Sequence, residues 1–202
     1  MEHLAVFCSG KGTNLQAILT ACRRKKIPTA VSLVVSDNPK AFALRRARRF
    51  GVETLVLEAR DFPSKASYEK ALLRQLKRRG IRYIALAGFM RVLSPLFVRA
   101  FRNRILNIHP ALLPSFRGVH AVRDALRAGV KVTGVTIHLV DEGVDTGPIV
   151  LQEAVPVLPD DAEKTLHERI HRVEHKLYPR AIRLLIEGRL RVRGRKVTVK
   201  TT

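Results

Sequence analysis

The run Ile105-Leu106-Asn107-Ile108-His109-Pro110, followed after Ala111 by Leu112-Leu113-Pro114, decides how this chain is read. An apolar strand pattern stops at a polar pair and a proline. Asn107 and His109 are separated by one residue, so on a strand both project from the same face. Pro110 ends the strand at that point. An amide able to hold a carbonyl oxygen and an imidazole able to move a proton then sit together at the carboxyl end of a strand. Open α/β sheets place their chemistry there.

The segments before this run set its frame. Leu4–Cys8 reads as a strand, and Ser9-Gly10-Lys11-Gly12-Thr13-Asn14 as a turn into a helix whose apolar face carries Leu15, Ile18, Leu19 and Cys22. Ala30–Val35 is a second strand, closed by the turn cluster Ser36-Asp37-Asn38-Pro39. A helix over Ala41–Phe50 ends at Gly51, and a third strand covers Val52–Leu57. A helix over Ser67–Arg79 ends at Gly80, and a fourth strand covers Ile81–Ala87. This alternation predicts a parallel, doubly wound sheet with right-handed crossovers.

After Gly88 the rhythm changes. Ser94-Pro95 opens a short helix to about Phe101, with Ser at the N-cap and Pro in the first turn. The strand to His109 follows, then a helix over Val119–Ala128. Val132–Val140 and Ile149–Val157 read as strands joined across Asp145-Thr146-Gly147-Pro148, and so as an antiparallel pair. Ala162–Glu187 is the longest helical pattern, with a kink expected at Pro179. Gly188–Thr202 alternates apolar and basic residues and is expected to be an edge hairpin or loose strand. The fold class predicted is α/β: a doubly wound, Rossmann-like, mostly parallel sheet with an antiparallel C-terminal strand pair and a long C-terminal helix. With no repeat, low-complexity segment or linker, residues 1–202 read as a single domain ending in a basic tail, 189–202.

Composition narrows the function classes. Lys and Arg number 38 against 17 Asp and Glu, a net charge of +21. Such a balance points either to an anionic partner or to an Arg-rich surface bias. The basic residues are scattered, mostly at helix ends where cations suit the macrodipole. Aromatics, at 5%, do not interleave them as in single-strand binders. The reading therefore favours small-molecule substrates over nucleic acid, with a monomer or homodimer left open. No apolar run approaches the roughly 18 residues of a membrane span. The N-terminal segment is too short, and wrongly flanked, for a signal peptide. The two cysteines, Cys8 and Cys22, read as reduced thiols, so the expected location is cytoplasmic.

Three constellations could carry chemistry. The turn Ser9 to Asn14 presents backbone N–H groups at a helix N-terminus, which favours an anion. It is not a Walker A loop, since Lys11 precedes Gly12 rather than Ser or Thr, and it lacks the third glycine of a dinucleotide fingerprint. A single phosphate monoester suits Gly12, Thr13 and Asn14 better; the alternative is an ordinary glycine turn. Asn107 and His109 form the second constellation, together with Asp145 in the acidic loop Asp141-Glu142-Gly143-Val144-Asp145. A carboxylate within reach favours the protonated imidazole. The third, His167-Glu168-Arg169-Ile170-His171 with His175, puts three imidazoles on one helical face. It matches the zinc-protease pattern on three letters only, without the metzincin continuation, and no metal is expected.

Four collinear stretches carry a family resemblance: Cys8 to Ile18, Leu86 to Pro95, Leu106 to Pro114, and Thr136 to Pro148. They resemble the glycinamide ribonucleotide formyltransferases, within the wider folate-dependent formyltransferases, and the likeness runs from the first strand to about Pro179. The resemblance implies formyl transfer from 10-formyltetrahydrofolate, as co-substrate, to the amine of glycinamide ribonucleotide in purine synthesis. It implies catalysis by Asn107, His109 and Asp145, phosphate binding by Gly12, Thr13 and Asn14, and a ribonucleotide contact from Glu174. Folate binding is implied for Lys65, Met90, Arg91, Val92, Leu93, Asn107, Val140, Asp141, Glu142, Gly143 and Val144. On this view residues 1–88 form a nucleotide-phosphate half and 89–188 a folate and catalytic half. Methionyl-tRNA formyltransferases lack the glycine turn and carry a further C-terminal domain, for which the stretch after Gly188 is too short. The short basic tail departs from the family pattern.

Overall fold

Strands buried along their whole length must be covered on both faces, and two such strands set the centre of this molecule. The computed structural model describes residues 3–200; Met1, Glu2, Thr201 and Thr202, the ends of the domain and tail read from the sequence, lie outside the described residues. In chain order the elements are β1 (Leu4–Phe7), α1 (Thr13–Arg23), β2 (Val31–Ser36), α2 (Phe42–Arg49), β3 (Thr54–Val56), α3 (Lys65–Arg78), β4 (Tyr83–Leu86), α4 (Pro95–Ala100) and β5 (Ile105–His109). They continue with α5 (Ala121–Arg127), β6 (Val132–Leu139), β7 (Ile149–Pro156), α6 (Glu163–Ile186), β8 (Leu190–Arg193) and β9 (Lys196–Val199).

The seven-stranded sheet has the order β3-β2-β1-β4-β5-β6-β7. Pairing is parallel from β3 through β5, and β6 and β7 are each antiparallel to the strand before. Every residue of β1 and β4 is buried. Alternation along β1 feeds two cores. Leu4, Val6 and Cys8 join residues of α1, α2 and α6 on one face, and Ala5 and Phe7 join Tyr68, Leu72 and Leu76 of α3 and Phe97 of α4 on the other. The strand order reverses between β1 and β4. The helices following these two strands leave on opposite faces, and a crevice opens at their carboxyl ends.

The predicted fold class holds in strand order, strand direction and the long last helix. The differences are local. Helix α3 begins at Lys65 rather than Ser67, because the cap is Ser64: its hydroxyl accepts from the Ser67 N–H, and the Ser67 hydroxyl in turn accepts from the Ser64 N–H, both at 3.1 Å. Helix α5 begins at Ala121, leaving Val119, 76% exposed, in the preceding loop. Helix α6 continues through Pro179 as one element, held to the sheet by buried Leu177 and Tyr178 before the proline and Ala181 and Ile182 after it. The tail forms a hairpin, β8 with β9, in a separate two-stranded sheet.

One hydroxyl ties α6 to the crevice. Tyr178, fully buried, places its O–H proton between the carbonyls of Leu86, the last residue of β4, at 2.8 Å and of Leu106, the residue before Asn107 in β5, at 3.0 Å. Tyr178→Phe leaves two buried carbonyls short of a donor and should cost about 1–2 kcal/mol of stability. The midpoint of a urea transition should fall with its slope unchanged; an unshifted midpoint would deny this bond a structural role.

Candidate active site

The crevice is a cleft of about 550 Å³. Its floor is the turn between β1 and α1. Gly12 has φ +71°, and a Cβ there would stand 2.7 Å from the Cβ of Ala43, so only glycine lets the turn pack on α2. The Gly12 carbonyl accepts the first helical bond of α1, from Gln16 N–H at 3.0 Å. Asn14, two residues further and in the first turn of α1, is buried. Its Nδ2 donates to Glu174 Oε2 of α6 at 2.9 Å, and among the described residues its Oδ1 has no hydrogen-bond partner. Burial pushes the Glu174 carboxyl up to about 7, against the pull of the Asn14 amide. The turn is also fixed to the opposite wall. Ser9 Oγ donates to Asp37 at 2.6 Å and accepts from the Met90 N–H at 3.0 Å, and Ser9 N–H meets the Gly88 carbonyl at 2.9 Å.

Asn107, His109 and Asp145 converge at the end of β5. The antiparallel register sets His138 of β6 directly across from Asn107. Asn107 Nδ2 lies 3.3 Å from Asp145 Oδ1 and 3.1 Å from His138 Nε2. His109 Nδ1 lies 3.4 Å from Asp145 Oδ2, which also accepts from the Gly118 N–H at 2.9 Å. Asp145 takes this position with φ +52°, in the left-handed region that a non-glycine residue rarely adopts. Carbonyl oxygens only accept, so contacts to them assign the imidazole protons. His109 Nε2, 2.7 Å from the Phe116 carbonyl, carries a proton, and so does His138 Nδ1, 2.9 Å from the Leu139 carbonyl. In neutral His138, Nε2 therefore accepts from Asn107.

Sequence reasoning expected Asp145 to keep His109 protonated. Burial is the larger influence and holds the His109 pKa below its ordinary value, although Asp145 and the Phe116 carbonyl push it up; His138 adds to the lowering. For Asp145 burial again acts most strongly, upward. It is outweighed by His138, the Gly118 N–H and the charge of the two imidazoles, so the carboxyl stays below its usual range. The resting pair is thus a neutral imidazole with a lone pair on Nδ1 facing a carboxylate. That nitrogen is ready to receive a proton.

Most of the other expected residues reach the cleft. Gly12, Thr13, Asn14 and Glu174 line one end, and Met90, Arg91, Val92, Leu93, Val140, Asp141, Gly143 and Val144 line other parts of it. Two do not. Lys65 is exposed at the start of α3 and is not part of the lining. Glu142 is also outside the lining and pairs with Arg99 at 3.1 Å, with more than half its side chain exposed. Asp141 has a structural duty as well: its Oδ1 accepts from Thr146 Oγ1 at 2.6 Å and from the Gly143 N–H at 3.2 Å, which shapes the acidic loop. Sequence reasoning missed His138, His167 and His171 as lining residues. The signal for His138 was its place one residue after Ile137 on an alternating strand, but only the register puts it opposite Asn107. His167 and His171 have ring centroids 4.3 Å apart, and His171 and His175 5.9 Å. Among the described residues no group of three or more His, Cys, Asp or Glu is placed to hold a metal ion. No helix among them is long and apolar enough to cross a membrane.

Comparison with known proteins places this doubly wound sheet and its crevice in one family. Residues 2–182 match the formyl transferase family model, and the chain belongs to that family. It is 42% identical over 186 residues to phosphoribosylglycinamide formyltransferase of Bacillus subtilis, covering 92% of this chain and 95% of that protein. It is 49% identical over 189 residues to the trifunctional purine biosynthetic protein adenosine-3 of Drosophila melanogaster, covering 93% of this chain but only 14% of that much longer protein. The structure of glycinamide ribonucleotide transformylase 1 from Symbiobacterium toebii superposes with a TM-score of 0.97 at 50% identity, over 98% of this chain and 94% of that one.

The opposing influences on His109 give a direct test. Asp145→Asn removes an upward influence on its pKa, so the imidazole should titrate at lower pH than in the wild type. Ring chemical shifts of His109 followed by NMR across pH 4–8 would read this; an unmoved titration would uncouple the two groups.

Proposed function

We propose that this chain transfers the formyl group of 10-formyltetrahydrofolate to the amine of glycinamide ribonucleotide in purine biosynthesis, as a cytoplasmic enzyme. One observation carries the reading: Asn107, His109 and Asp145 line the same cleft as an anion-suited glycine turn and a largely apolar wall. The turn fits a phosphate ester. The wall of Met90, Val92, Leu93, Val140 and Val144 fits a flat, partly apolar ring system. Residues 1–88 thereby serve chiefly the ribonucleotide, and 89–188 the folate and the chemistry. The relatives named for this reaction support the choice of substrate.

The amine attacks the formyl carbon directly, and no metal is called on because a free amine is already a good nucleophile. Attack puts negative charge on the formyl oxygen and positive charge on the attacking nitrogen. Asn107 donates its amide N–H to the oxygen, a bond that strengthens as charge develops. The nitrogen loses a proton, through water beside Asp145, to the free Nδ1 of His109. Asp145 then stabilises the imidazolium. The imidazolium gives a proton to N10 of the folate as the C–N10 bond breaks and the carbonyl re-forms. Protons balance, and His109 ends neutral. Holding both substrates in one cleft supplies several kcal/mol of the barrier reduction.

His109→Ala should lower kcat by roughly 10²–10⁴-fold, the span usual for acid–base groups; near-wild-type turnover would remove His109 from the chemistry. Thr13→Val and Asn14→Ala should raise KM for the ribonucleotide and leave folate affinity nearly unchanged. Equal losses for both ligands would instead mean a disordered cleft. The deciding experiment is spectroscopic detection of tetrahydrofolate formation with glycinamide ribonucleotide as acceptor, with and without chelator. No turnover, or turnover abolished by chelator, would overturn the reading.

A further inference from the structure

His167 and His171 stand one turn apart on α6, with their rings 4.3 Å apart, and both line the same cleft as the Gly10–Asn14 turn. The chemistry at His109 uses neither. Charged groups surround them on several sides. Asn14 of the turn holds Glu174, the neighbour of His171, at 2.9 Å, and Lys11 acts on both rings from the same turn. On their own helix Glu163 acts on His167, the Glu174 carboxylate is 3.7 Å from His171 Nε2, and His175 stacks beyond. Arg46 of α2 acts on His175, and His120 lines the cleft from the loop before α5.

We propose that His167 and His171 form a proton-accepting wall of the phosphate subsite, neutral in the free protein and protonated when a phosphate dianion is held at Gly12–Asn14. Ribonucleotide binding then takes up protons. This rests on the phosphate reading of the turn. In the free protein burial, the adjacent imidazoles and Lys11 hold His171 down to about 4, and burial and then Lys11 hold His167 below its ordinary value against the pull of Glu163. Two close imidazoles beside a lysine disfavour each other's charge. A dianion at hydrogen-bond range reverses the sign of the field they experience. A phosphate monoester loses its second proton at a pKa of about 6, so the dianion predominates at neutral pH. Its own titration would release protons on binding, the opposite sign to the uptake expected from the imidazoles.

The test is calorimetric titration of the protein with ribose 5-phosphate at pH 7.5, in phosphate-free buffers of differing ionisation enthalpy. Proton uptake is expected, with affinity rising as pH falls from 8 to 7, by up to about tenfold per proton taken up. In the double variant His167→Gln, His171→Gln the uptake should vanish while weaker binding persists. Uptake that survives in that variant but disappears in Glu174→Gln would overturn the inference and move the proton to Glu174. Binding without uptake would overturn it and leave the phosphate reading standing. Ribose 5-phosphate binding no better than ribose would overturn the phosphate reading and this inference with it. Should the double variant fail to fold, ring shifts of His171 in the wild-type protein decide: its titration should move upward on saturation with ribose 5-phosphate, and no movement overturns the proposal.

Discussion

Every functional contact in this protein depends on β1 and β4 lying side by side with their outgoing connections on opposite faces. A continuous sheet offers no room at its edge for a ligand, because each connection packs against the next. At the reversal the connections part, and the cleft is the space between them. The glycine turn after β1 and the Gly88–Leu93 segment after β4 are its two sides. Asn107 reaches it because β5 is the next strand over; β6 runs back antiparallel and ends opposite Leu106, and the loop after it, closed by the Leu139 N–H on the Pro148 carbonyl, folds back so that Asp145 meets Asn107 and His109. The fold-back of that loop, and not the end of β6 itself, brings Asp145 within 3.4 Å of His109.

Around Asp145 the chain accepts local cost for position. Its backbone is left-handed, and so is that of Phe116, whose carbonyl takes the Nε2 proton of His109. Such conformations are retained only where the surroundings over-determine them. Here the surroundings are the Gly118 N–H, the Asn107 amide and two imidazoles meeting one carboxylate. The same enclosure that fixes the geometry also desolvates His109, and desolvation prevails over the nearby negative charge. The group is tuned toward accepting a proton late rather than holding one early.

Much of this was legible in the residues. Apolar runs punctuated by Gly and Pro gave the strands and their order of appearance, and the alternation of strand and helix gave the parallel half. The same-face spacing of Asn107 and His109 was readable because a strand has a period of two. What could not be read was anything set by register or by the direction of an exposed side chain. His138 becomes Asn107's neighbour only through the β5–β6 pairing. Lys65 is exposed at the start of α3 and Glu142 turns toward Arg99, so neither side chain enters the cleft. The sign of the His109 shift was likewise out of reach, since it is a contest between burial and charge that needs coordinates.

The hydroxyl of Ser9 has a wider consequence. With its proton on Asp37 and a lone pair on the Met90 N–H, it fastens the turn after β1 to the segment after β4. The two sides of the cleft are thus parts of one body rather than two lobes that swing together. The spacing between an anion held by the turn and a ring held against the Met90 segment is fixed when the chain folds. Much of the loss of freedom in aligning two reactants is then met before either arrives, and their encounter at Asn107 behaves as a reaction within a single molecule.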